Sequence, residues 1–94
     1  MARSIIIVNA TQVVTSEQNP HGLFSVVNGF PKVFDSGYDG DVDQNMNNAK
    51  SAYHAQLSTN YANTNANRVM MTVTIERANG EQIDSVTIGR IPGE

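Results

Sequence analysis

The sequence predicts an α+β domain: an antiparallel sheet of four or five strands with one central helix packed on one face, in the order β-β-β-α-β-β. Three observations carry that expectation. The Asn79-Gly80 pair divides two stretches of alternating apolar and hydroxyl residues, the strongest short-range hairpin signal. Apolar residues in the middle of the chain recur at spacings of four and three, the period of a helix. The N-terminal stretch is rich in Ile, Val and Thr, whose branched side chains suit a pleated surface.

Ser4 to Thr15 reads as a long strand. Its Ile5-Ile6-Ile7-Val8 run sends apolar side chains both ways, as in a strand covered on both faces. Gln18-Asn19-Pro20-His21-Gly22 is a turn cluster. Leu23 to Val27 and Phe30 to Phe34 flank Asn28-Gly29, which predicts a second hairpin. Pro31 has no N–H to donate, so its strand belongs at an edge or a bulge. Asp35 to Gly40 forms a loop. The helix is expected from Val42 to Tyr61, with Val42, Met46, Ala49, Tyr53, Leu57 and Tyr61 on one stripe. Asp41 and Asp43 lie at its start, where carboxylates cap free N–H groups and meet the positive end of the dipole. Asn63 to Asn67 supplies a polar connection. In the last hairpin, Val69 to Arg77 and Gln82 to Arg90, a two-residue loop sets Ile75 opposite Asp84, Val73 opposite Val86 and Met71 opposite Ile88. Thr74–Ser85 and Thr72–Thr87 then fall on the other face.

At 94 residues the chain makes a single domain, 1–94. A chain of this length buries roughly 60–65% of its unfolded surface, and association is a common supplement to so lean a core. Hydrophobic residues make up 39% and charged ones 16%; neutral polar residues, above all asparagine, make up the difference. A net charge of −3 with scattered basic residues argues against a surface that tracks phosphates, so nucleic acid is not an expected partner. No stretch approaches the roughly 20 apolar residues of a membrane span, and Ile5 to Val8 is too short for a signal peptide. The expectation is a chain without a membrane partner, cytoplasmic, or virion-associated if of bacteriophage origin. The absence of cysteine excludes disulfides, thiol nucleophiles and cysteine-based zinc sites.

Three groupings have the residue types of a chemical site. Asp39, Asp41 and Asp43 have the spacing that opens an EF-hand calcium loop, but the required glycine and glutamate are replaced by Gln44 and Lys50. Lys50, His54 and Ser58 share one helix side without a group to orient the imidazole. Gly37 and Gly40 precede the helix, as in an anion-binding terminus, yet the aspartates there repel phosphate. Hence no catalytic, metal or cofactor site is expected, and the chain reads as non-enzymatic. The leading expectation is an assembly or interaction protein that self-associates or docks on a larger complex, of the kind found among small phage or mobile-element accessory and structural proteins. Its interface would use Ile5, Ile6, Ile7 and Val8. The alternative is a small-ligand-binding or inhibitor module with a pocket at a subunit interface, lined by Tyr38, Tyr53 and Arg68.

Overall fold

In a computed structural model of the chain, which describes residues 3–59 and 68–90, the β-branched N-terminal stretch becomes strand β1 (Ile5–Thr15). It is an interior strand. Along one side it pairs antiparallel with a long strand that is β4 in chain order (Arg68–Arg77), from Ile6 against Arg77 to Thr15 against Arg68. Along the other side lie β2 (Leu23–Val26) and β3 (Lys32–Asp35). The outer flank of β4 carries β5 (Gln82–Arg90). Five antiparallel strands and one helix thus follow each other in the expected order β-β-β-α-β-β.

The second hairpin does not form. β2 pairs with Thr11–Val14 of β1, and β3 pairs with Ile5–Val8, both antiparallel. The two short strands therefore run end to end as one interrupted edge, with residues 27–31 looped out opposite Asn9 and Ala10. Val27 N–H still donates to the Ala10 carbonyl at 2.8 Å. Gly29, at φ +91°, turns the excursion rather than reversing the chain. The reversal falls instead at 16–22, between β1 and β2, where Ser16 and Asn19 exchange backbone hydrogen bonds of 3.1 and 3.2 Å.

The β4–β5 hairpin has the expected register from Met71↔Ile88 to Ile75↔Asp84. Its loop is one residue longer than the Asn-Gly pair implies. Arg77 N–H donates to the Glu81 carbonyl at 2.8 Å and Gly80 N–H to the Arg77 carbonyl at 2.9 Å, so Ala78-Asn79-Gly80 is the loop. Gly80 takes the left-handed position at φ +93°. The extra loop residue is compensated by a bulge on β5: Glu76 pairs with Gln82 and Ile75 with Asp84, leaving Ile83 unpaired between them.

Helix α1 (Val42–Leu57) begins as its sequence dictates. The Asp41 carboxylate accepts from the N–H groups of Asp43 and Gln44 at 2.9 and 3.1 Å. Just before it, Gly40 passes so close to the Ser36 carbonyl that a Cβ would collide with it. The helix ends four residues earlier than the apolar stripe implies: Ser58 N–H closes onto the carbonyls of His54 and Ala55, both at 3.2 Å. Tyr61 and Asn63–Asn67 lie outside the described residues. Ala49 and Tyr53 pack on Ile6, Val8 and Ala10 of β1 and on Met71, Val73 and Ile75 of β4. Each large apolar side chain sealed there contributes about 1.5–3 kcal/mol. No helix among the described residues is long and apolar enough to cross a membrane.

Candidate functional site

Strand alternation sorts the sheet into two chemically distinct faces. The helix-covered face carries Ile6, Val8 and Ala10, with Val69, Met71, Val73 and Ile75 beside them, all buried. No described element covers the opposite face. There β1 presents Ile5, Ile7, Asn9, Thr11, Val13 and Thr15, all half-buried. The edge beside it adds Phe24, Val26 and Val33, exposed by 68%, 47% and 62%. On β4 the same face carries Arg68, Met70, Thr72, Thr74 and Glu76. Thr72 and Thr87 join their hydroxyls at 2.9 Å. The face is thus an apolar stripe flanked by a hydroxyl stripe, with a cation at one end of β4 and an anion at the other.

The expected interface run divides across the sheet. Ile6 and Val8 are fully buried beneath α1 and cannot face a partner. This corrects the grouping of all four residues: helix cover takes every second side chain, leaving Ile5 and Ile7 on the open face. Phe24, Val26 and Val33, which belong with them, were not singled out in the sequence. Neither Leu23-Phe24-Ser25-Val26 nor Lys32-Val33-Phe34-Asp35 alternates apolar with polar residues, so the face each side chain takes follows from its register against β1.

Within one copy of the chain, Tyr38, Tyr53 and Arg68 stand apart. Tyr38 stands at the β1 N-terminal end, where the Arg3 guanidinium lies 5.1 Å from its ring centroid. Arg3 also holds Asp35 through two hydrogen bonds, at 2.6 and 3.0 Å. These bonds first, then the Gly37 N–H, lower the Asp35 carboxyl to about 2. Arg68 is at the far end of β1, opposite Thr15, roughly 33 Å away at ~3.3 Å per residue. Tyr53 is on the buried side of α1, 2% exposed.

The acidic loop has its own commitments: Asp35 pairs with Arg3 and Asp41 caps α1. Among the described residues no three His, Asp or Glu side chains group to hold a metal ion. The Lys50–His54–Ser58 alignment is divided too, because Ser58 Oγ donates to the His54 carbonyl at 3.2 Å. Two cavities among the described residues bear on chemistry. One of about 280 Å³ lies against Arg3, Ile5 and Arg77, where each guanidinium already has a carboxylate partner, Asp35 and Glu81. The other, of about 240 Å³, lies between α1 and the β4–β5 hairpin at Tyr53. Comparison with protein-family models, with curated proteins and with solved structures found no match for the chain.

Proposed function

We propose that this chain is a non-enzymatic assembly domain whose open sheet face packs against the same face of a second copy. The observation that supports it is an apolar stripe, Ile5, Ile7, Phe24, Val26 and Val33, on a face that no described element covers. A sheet with one apolar face covered and another bare is half of a sandwich.

The charges on that face favour a second copy as the occupant. Arg68 and Glu76 stand four positions either side of Thr72 on one strand. A two-fold axis in the interface plane, perpendicular to β4 and passing at Thr72, sets each Arg68 opposite the other copy's Glu76. That is the self-complementarity an isologous interface requires. Four strands abreast at ~4.8 Å and ~33 Å long offer about 600 Å² per copy, or about 1,200 Å² for the pair, the lower end of a stable interface.

The test is the mass in solution. The wild type should run as a dimer, and Val33→Lys and Phe24→Lys as folded monomers, since both side chains are already exposed. Arg68→Glu or Glu76→Arg alone should weaken the dimer about tenfold, and the double reversal should restore it. A wild type that stays monomeric overturns the proposal and leaves docking on a different protein. So does a dimer indifferent to both lysine variants.

A further inference from the structure

We propose that the cavity between α1 and the β4–β5 hairpin binds a small zwitterion of the amino-acid class. The cavity, of about 240 Å³, is lined by Lys50, Tyr53 and His54 from the helix and by Ile75, Ile83 and Asp84 from the hairpin. Features of separate origin in the chain converge on it.

The first is a hydroxyl without a partner. Tyr53 is 2% exposed, its oxygen is sealed from solvent, and among the described residues its polar contact is a loose one with the Asp84 carboxylate, short of full hydrogen-bond geometry. Buried polar atoms almost always have a partner, so an orphan hydroxyl in a cavity wall marks a place for one. Burial first, then the Asp84 charge and its contact with the hydroxyl, raise the Tyr53 ionisation above its ordinary value, so the group remains a neutral hydroxyl.

The second is a carboxylate on the wrong face. The register puts Asp84 opposite buried Ile75, on the side of the sheet that the helix covers, where the alternation calls for an apolar residue. The bulge at Ile83 sits immediately before it. Bulges of this kind re-aim side chains and recur beside functional sites. Asp84 Oδ1 accepts from the Ser85 N–H at 2.9 Å, which orients the carboxylate.

The third is charge of the opposite sign across the gap. Lys50 and His54 are one helical turn apart on the wall facing Asp84. Among the described residues neither Lys50 nor Asp84 is within ion-pair distance of an opposite charge. A simple anion would meet Asp84 and a simple cation would meet Lys50. A molecule carrying both charges satisfies the two walls together: its carboxylate on Lys50 and His54 and its ammonium on Asp84, beside Tyr53. Ile75 and Ile83 remain for the side chain, which must be short, because the cavity is below the roughly 300–1,000 Å³ of sites for drug-sized ligands.

L-alanine, propionate and propylamine, titrated separately into the isotope-labelled full chain, test this by amide shifts. L-alanine should move the Lys50–His54 and Ile83–Ser85 signals saturably in the millimolar range. Propionate and propylamine, each with half of the charge pair, should bind about tenfold more weakly. Asp84→Asn and Lys50→Met, both at exposed positions, should each weaken alanine binding about tenfold with the fold unchanged. No saturable shift with any of the three compounds overturns the proposal. Propionate or propylamine binding as tightly as alanine overturns it, as does an Asp84→Asn protein that binds alanine like the wild type.

Discussion

Asn45 stands on the buried side of α1, 8% exposed, at a position the helical stripe leaves to its apolar neighbours. Its Nδ2 donates to the carbonyls of Ser4 and Phe34 at 3.1 and 3.0 Å. One side chain thereby ties the helix to β3 and to the residue just before β1. Truncating it forfeits both hydrogen bonds, although the Ser4 carbonyl keeps the Ser36 N–H at 2.9 Å, so Asn45→Ala should lower the unfolding free energy by about 1–3 kcal/mol. The denaturant midpoint should fall with the slope unchanged, whereas an unchanged midpoint would mean water serves the carbonyls equally well. Asparagine abounds in this chain, and nothing local separates Asn45 from Asn47 or Asn48, both exposed. Its role depends on carbonyls eleven and forty-one residues away, which no spacing rule reaches. Asp84 differs in this respect. The hairpin register placed it opposite Ile75 from the sequence alone, and an acid at that position was the legible trace of the cavity.

At the scale of elements, local chemistry decided what local chemistry can decide. Asp41 was expected as a cap and is one, because its acceptor and the N–H groups it serves are two and three residues apart. Asp41→Ala should destabilise the fold by about 1 kcal/mol and Asp41→Asn by much less, read from thermal or denaturant unfolding. Equal losses in the two variants would show that charge at the dipole, not the cap bond, matters most. The two Asn-Gly pairs make the complementary point. Asn79-Gly80 sits between strands of nearly equal length with matched faces, and the hairpin forms there with the register its side chains demand. Asn28-Gly29 has the same local signal, but β1 is eleven residues long and offers pairing along its whole edge. Two four-residue strands laid in line along β1 satisfy that edge better than they would each other. A positive-φ glycine serves a kink as readily as a reversal, so the dipeptide could not distinguish them.

Among the described residues the molecule is a sheet with one face spent on its own helix and no element over the other, so its stability should depend on company. If two copies share the bare face, mass action favours the folded pair, and the melting temperature should climb with protein concentration across about a hundredfold range. A melting temperature independent of concentration would mean that the lean core suffices alone. The sheet's flanks are also unequal. One is the broken line of β2 and β3, interrupted at 27–31, while the other is β5, nine residues long with a single bulge near its start. A flank that is broken every few residues gives an incoming strand too short a run of free N–H and C=O groups to hold it. Lateral growth by strand addition is therefore possible on one flank alone. Two copies joined there would use up their competent flanks on each other, and the series would end at two: the excursion at Asn28-Gly29, a departure from regular pairing, acts as a chain terminator against fibril formation.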